Sequence, residues 1–328
     1  MYSSMLRSLA VAALGFSCLA SGAASAQDKA LQPLAINYTL PNAIWWNIDV
    51  AIDKGFLKDE GFAPEAIPFQ NSPQAVQLLI SKSVQAAVVQ PEALLDANMH
   101  GAGLAAIAQT ESRPDWFLVV APAIKDWADI KGKNIGFSSL KVNEVWLTEK
   151  LLSQHGLAKT DWTALQVGVT PLKVAALKKG SIAAAPLFQP GAQQAMKDGL
   201  KPIARYDELG DSPPSLIVVS KSWATENRNG IRFGHAIQHA HAWLSDPANR
   251  NEARNILAKY TKVTPDVAQQ VYEILFITDK IYSHDGAVDL NGLKNALQLV
   301  AEAGQMPADK LPPPESLVLP AADGGLVH

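Results

Sequence analysis

Two adjacent tryptophans, Trp45 and Trp46, stand in the stretch "LPNAIWWNIDVAIDKGFL" (40–57), where a helix is expected to begin. On that helix Ile44, Ile48, Ala51 and Ile52 fall at i, i+4, i+7 and i+8 and form one buried stripe. Core burial accounts for the isoleucines more easily than for both indoles. Either the indoles pack against another element, or at least one faces a guest molecule, where stacking on a planar ring adds about 0.5–1.5 kcal/mol beyond area burial. Further polar and aromatic residues fall at comparable places, in short loops between a strand-like run and a helix-like run. They are Asn42; Gln70, Asn71 and Ser72; Gln90 and Glu92; Ser138 and Ser139; Thr170; and Phe188 with Gln189. Amides, hydroxyls and aromatic faces recognise and orient a molecule; alone they do not transform one. Ser138 and Ser139 precede a helix, so their hydroxyls and backbone N–H groups either hold an anionic group or simply cap that helix. Glu92 offers a carboxylate to an amine or ring N–H, or sits in a first helical turn where the dipole favours it. Arg113 is placed either to pair with a carboxylate or to tie a hinge.

Catalytic signatures are missing. The sequence contains no G-x-S-x-G, H-E-x-x-H, Walker A or dinucleotide fingerprint. His235 and His239 share a helix face, but His241 points elsewhere and no carboxylate stands at a familiar metal spacing, so no metal and no cofactor are expected.

The elements that must position these loops alternate. Strand-like runs at 34–40, 64–70, 84–90, 104–109, 115–122, 130–139, 165–170, 181–190 and 215–220 are interleaved with helix-like runs at 72–83, 92–101, 143–156 and 171–180. In 72–83, Ser72 is the expected N-cap and Pro73 the first helical residue. After 220 the pattern turns helical, at 233–245, 248–260, 265–276 and 289–304, before a tail rich in proline and glycine that is expected to be extended. Strand–helix alternation of this kind predicts an α/β fold of parallel type. In such folds ligands sit beyond the carboxyl ends of the strands, which is where the residues above fall.

Composition narrows the class. The chain has 328 residues, 48 % apolar and 18 % charged, with a net charge of −3, which suits a folded globular protein and gives no electrostatic reason for nucleic acid or an anionic membrane. Residues 1–26 stand apart. Arg7 is followed by the apolar run "LAVAALGFSCLA" (9–20) and a small-x-small exit, Ala24-Ser25-Ala26. This reads as a secretory signal cleaved after Ala26, and the run is short of the about 20 apolar residues a spanning helix needs. A lipoprotein signal modified on Cys18 is the competing reading; the residues before it, "GFS", lack the leucine expected three positions upstream. Cleavage removes the single cysteine, and export without disulfides fits the bacterial periplasm.

Segments spread in order over most of the chain carry a family resemblance. Among them are "AIDKGFLKDEGF" (51–62), "QLLISKSVQAAVVQPEAL" (77–94), "IKDWADIKGKNIGFSS" (124–139), "KLLSQHGL" (150–157), "AALKKGSIAAAPLFQP" (175–190) and "AHAWLSDPANRNEARNILAKYT" (240–261). Together they resemble the extracytoplasmic substrate-binding proteins of ABC importers, in the nitrate/sulfonate/taurine and thiamine-pyrimidine-precursor branch. The resemblance implies a two-lobed type II periplasmic binding fold with two hinge crossovers and a helical C-terminal region. Lobe one would span 31–115 plus 219–328 and lobe two 116–218, with crossovers near Trp116–Ala121 and Ser215–Ser220. It further implies a monomer that closes on a small-molecule ligand, docks on a membrane permease and does no catalysis. The thiamine-precursor branch commonly has histidine and glycine shortly after "PN", where this chain has "AIWW". The expected ligand is therefore a small planar or aromatic organic molecule, or a carboxylate, with an alkanesulfonate as the alternative. A periplasmic enzyme on the same fold is a further alternative, though the loops offer no catalytic cluster. A transcription-factor effector domain is disfavoured, because no helix-turn-helix precedes the α/β region.

Overall fold

The computed structural model describes residues 30–38, 42–68 and 71–328. Residues 1–26, read above as an export signal, and Gln70 lie outside the described residues. Ten strands form among the described residues: β1 (Gln32–Asn37), β2 (Phe62–Ile67), β3 (Ala86–Val89), β4 (Leu104–Gln109), β5 (Phe117–Val120), β6 (Lys133–Phe137), β7 (Trp162–Gln166), β8 (Ala184–Leu187), β9 (Lys201–Arg205) and β10 (Leu216–Ser220). They make two five-stranded sheets, ordered β2-β1-β3-β10-β4 and β7-β6-β8-β5-β9. Two connections, residues 110–116 and 206–215, run from one sheet to the other.

Each sheet is mixed rather than parallel throughout. β1 pairs in parallel with β2 and β3, and β6 with β7 and β8. β10 runs antiparallel to β3 and β4, and β5 antiparallel to β8 and β9. The two reversed strands are the ones that begin just after the connections. This matters for the site, because the amino end of a reversed strand lies beside the carboxyl ends of its neighbours.

The central strands are buried on both faces, which is why "AAVV" and "AAPL" read as continuous apolar runs. Helices cover those faces. The helix Asn143–Gln154 packs Val145, Leu147, Leu151 and Leu152 into the core. The helices Trp46–Asp53, Asn229–Ser245, Arg250–Thr261 and Pro265–Tyr272 build a second apolar cluster around Trp46, Ile48, Phe233 and Tyr272. Gly55, at φ 81°, lets the chain leave the tryptophan helix through the left-handed region that favours glycine.

Three local expectations are corrected. Asn71, not Ser72, caps the helix Ser72–Ile80, its side chain accepting from the Gln74 N–H at 3.0 Å. The run 165–170 is shifted, because the strand starts at Trp162 and pairs with β6 from Lys133 onward. The tail is extended only in part. The Leu319 N–H donates to the Ala106 carbonyl at 2.7 Å and the Leu326 N–H to the Ile107 carbonyl at 2.8 Å, so the tail lies along β4 and closes an otherwise open sheet edge. Its apolar residues Leu317, Val318 and Leu319 are buried there.

Candidate functional site

The loops at one end of both sheets meet around a cavity of about 80 Å³. From the first sheet come Asn42 after β1, Asn71 and Ser72 after β2, and Gln90 after β3; from the second come Ser138 after β6, Thr170 after β7 and Phe188 after β8. Asn42, Asn71, Gln90, Val142 and Val169 are the residues that cap five helical elements, and all five line the cavity. Several helix amino ends, with their partial positive charge, therefore face one small space.

The two indoles of the "WW" pair part company. Asn42 sets their positions by capping a 3-10 turn, Ala43–Trp45, before the helix proper begins at Trp46, its side chain accepting from the Ile44 N–H at 3.0 Å. Trp45 forms part of the cavity wall, 4 % exposed, and its Nε1 has no hydrogen-bond partner. Trp46 turns the other way. Its Nε1 donates to the Ala253 carbonyl at 3.1 Å, and its ring meets Tyr272 and Phe276 edge-on at 6.0 and 5.7 Å. Trp46 is a core residue, not a cavity one. Trp116 stands across from the first sheet with its edge against Phe188 at 4.8 Å, and its Nε1 too is buried without a partner.

Beneath the second-lobe wall lies a buried ion pair. Lys173 Nζ is 3.2 Å from Glu144 Oε2, with both side chains almost wholly buried. The same carboxylate accepts from the Ser138 N–H at 3.1 Å and from the Ser138 hydroxyl at 2.5 Å. Burial pulls the Lys173 pKa down, and the Glu144 carboxylate opposes that pull. Lys173 also stands over the Phe188 ring at 4.5 Å. Of the two readings of Ser138, an anion site or a helix cap, neither holds as written: its donors hold an anion from within the protein, the Glu144 carboxylate.

The lobes touch at the rim of this space. Gln90 Nε2 donates to Asn143 Oδ1 at 2.7 Å, the Asn143 N–H donates to Glu92 Oε1 at 2.7 Å, and the Ala43 N–H donates to the Gln189 carbonyl at 2.8 Å. Glu92 therefore clasps the opposite lobe instead of facing the cavity, and burial raises its pKa to about 7. Gln189 contributes its backbone; its side-chain amide is buried without a partner and off the cavity. Ser139 does not line the cavity either. Ser72, rather than capping, accepts from the Gln90 N–H at 3.1 Å and so fixes the rim residue.

Gln70 lies outside the described residues; of the other twelve loop residues singled out from the sequence, eight line the cavity, and Trp46, Glu92, Ser139 and Gln189 do not. Trp116, Ser215 and Glu144 line it without having been expected. Trp116 immediately precedes β5 and Ser215 immediately precedes β10, the two reversed strands, so a rule confined to strand carboxyl ends passes over them. Glu144 sits one residue inside a helix and reads there as an ordinary first-turn acid.

Other candidates resolve as structure. His241 takes a hydrogen bond from Asn47 Nδ2 on Nε2 at 2.8 Å and donates from Nδ1 to the Ser283 carbonyl at 2.8 Å. That pattern fixes a neutral ring, and burial lowers its pKa to about 4. Among the described residues no group of three histidine, cysteine or acidic side chains is arranged to hold a metal ion. Arg113 binds Asp211 at 3.1 Å and the Asp279 carbonyl at 2.7 Å, tying one connection to the other.

Two mixed α/β sheets with a cavity between them define a two-lobed binding fold. The family model described as NMT1/THI5 like matches residues 45–249, and the chain belongs to that family. YtlA of Bacillus subtilis (strain 168), named as a candidate binding protein, is 22 % identical over 311 residues, covering 90 % of this chain and 92 % of that one. The ligand-binding component of an ABC-type import system from Staphylococcus aureus, solved with zinc bound, shares the fold at a TM-score of 0.74 and 16 % identity, over 90 % of this chain and 99 % of that one. The alkanesulfonate-binding protein SsuA from Xanthomonas axonopodis pv. citri, bound to MOPS, does so at 0.72 and 18 %, over 88 % and 99 %. The fold is accordingly that of the type II periplasmic binding proteins.

Proposed function

We propose that this protein is an extracytoplasmic solute-binding protein. It closes its two lobes over a small planar organic molecule and presents it, chemically unchanged, to the permease of an ABC importer. The observation that carries this reading is the cavity itself. Aromatic walls from both lobes, Trp45 on one side and Trp116 with Phe188 on the other, enclose it, and hydrogen bonds across the rim hold the lobes together. A cavity of about 80 Å³ lies between the room one water needs and the roughly 150 Å³ that accepts benzene, so a ring-sized guest fits once the lobes part slightly. Turnover is not part of the reading. Among the described lining residues the one carboxylate, Glu144, already accepts from the Ser138 N–H, the Ser138 hydroxyl and Lys173, and no histidine stands beside it in the lining. Export through residues 1–26 and function as a monomer belong to the same proposal.

Thermal shift against a panel of small acids, amides and heterocycles, followed by X-ray scattering with each hit, tests it. A binder raises the melting temperature through mass action and shrinks the particle, and mass spectrometry recovers the compound intact. A particle of one fixed shape with every compound, or a converted product, overturns the reading. The alkanesulfonate alternative, drawn from the family resemblance, is supported by the ligand in the name of SsuA; the lining offers such a ligand no unpaired cationic side chain among the described residues.

A further inference from the structure

The second-lobe wall and the layer directly beneath it hold three donors suited to an anion: the Ser138 N–H, the Ser138 hydroxyl and, beneath, the Lys173 ammonium. All three are spent on Glu144, whose two oxygens receive them at 3.1, 2.5 and 3.2 Å. Glu144 itself lines the cavity, and no other charged side chain does so among the described residues. Lys173 and Glu144 together are neutral, so the cavity gains no net charge from them. An anion entering it would shed its water next to an existing carboxylate and meet no free cation. What remains unpaired in the wall is of another kind. Trp45 and Trp116 line the cavity and their indole N–H groups are buried donors with nothing to donate to, while the capping residues Asn71 and Val169 bring two helix amino ends to the lining. Single donors of this type suit a carbonyl oxygen or a ring nitrogen, which accepts without carrying a full charge.

We propose, resting on the solute-binding reading above, that Glu144 is a built-in counter-anion that fills the anion-holding donors of the second lobe, so that the cavity selects uncharged, acceptor-bearing planar molecules over carboxylates, sulfonates and nitrate. Glu144 is then a specificity-determining residue, and Lys173 is the group its removal would expose. Glu144→Gln keeps the volume and most of the hydrogen-bonding capacity but leaves the lysine charge without a partner. An incoming anion becomes that partner.

Calorimetry with matched pairs that differ in charge but hardly in shape tests this: benzamide against benzoate and nicotinamide against nicotinate, with methanesulfonate and nitrate as further anions. The unaltered protein is expected to bind the uncharged member of a pair at least about tenfold more tightly. Glu144→Gln is expected to shift that ratio by about tenfold or more toward the anion. In the double variant Glu144→Gln/Lys173→Met the gain should vanish, with circular dichroism verifying that each variant is folded. If the unaltered protein prefers the anion, or if Glu144→Gln leaves the ratio where it was, the charge assignment is overturned while solute binding stands. If neither protein binds any compound of either charge, the solute-binding reading falls, and this inference with it.

Discussion

The Gln90 side-chain amide donates to the Asn143 side-chain Oδ1 at 2.7 Å, joining the first lobe to the second at the rim of the cavity. Asn143 is the centre of a small clasp: its N–H reaches Glu92 Oε1, and its Nδ2 reaches the Pro214 carbonyl on a connection between the lobes at 3.1 Å. The bonds to Gln90 and Glu92 cross from one lobe to the other, so they favour the closed state without touching the guest. Asn143→Ala removes the bonds to Gln90 and Pro214, of which the first crosses between the lobes. A net hydrogen bond contributes about 1 kcal/mol, so ligand dissociation should speed up by roughly fivefold with association little changed. Stopped-flow release of any bound ligand reads the change, and an unaltered off-rate would mean that closure does not depend on the clasp.

Trp45 and Trp46 should respond to substitution in opposite ways. Trp46→Ala opens a hole among Tyr272, Phe276 and Ala253 and should cost about 3–5 kcal/mol of stability. Trp45→Ala removes a cavity wall and a donor that has no partner in the protein, so ligand affinity should fall well before stability does. Urea unfolding and ligand titration of the two variants separate the effects; similar profiles for both would refute the division.

The pair also shows what was legible in the sequence. The order of strands and helices could be read, because buried parallel strands are short apolar runs and helices carry their own period and stops. The loops that meet could be read as well, because parallel strands all deliver their loops to one end. Which of two adjacent indoles faces the cavity could not, since it depends on a single 3-10 turn, Ala43–Trp45, that rotates one ring away from the other. Trp116 and Ser215 stayed hidden for a topological reason: strand direction within a sheet is a long-range property, and local patterning is blind to the reversal of β5 and β10. The pairing of Glu144 with Lys173 spans 29 residues and two elements, so neither residue advertises it.

Stability should decline from mildly acidic to mildly alkaline pH. Glu111 and Asp115, in the connection between β4 and β5, are buried carboxyls whose oxygens have no partners. Burial drives both pKa values up, and for Glu111 the neighbouring Asp115 adds to it. Glu92 is raised from 4.5 to about 7. A carboxyl with a raised folded pKa binds more protons folded than unfolded, so its contribution is complete below the unfolded value and is lost as pH climbs through the folded one. His241 has the opposite sign: lowered from 6.5 to about 4, it costs stability as pH falls through that window. The melting temperature should therefore peak on the acid side of neutrality and fall toward pH 8. Glu111→Gln should flatten the decline and raise the melting temperature at pH 8. A profile that rises steadily to pH 8 in the unaltered protein would contradict the sign.

Glu144 and Lys173 should be costly to separate and cheap to remove together. Lys173→Met leaves the Glu144 carboxylate buried with only the Ser138 donors, and Glu144→Gln leaves the lysine charge buried over the Phe188 ring. Breaking a buried pair from one side typically costs about 3–5 kcal/mol, because the surviving charge has lost both water and its partner. The double variant Glu144→Gln/Lys173→Met strands no charge, and a methionine fills much of the lysine stem's volume, so its loss should be far smaller than the two single losses added. A double-mutant cycle in denaturant measures the coupling directly. Additive losses would show that the two charges do not depend on each other, and the wall of the cavity would then carry a free lysine and a free carboxylate rather than a neutral pair.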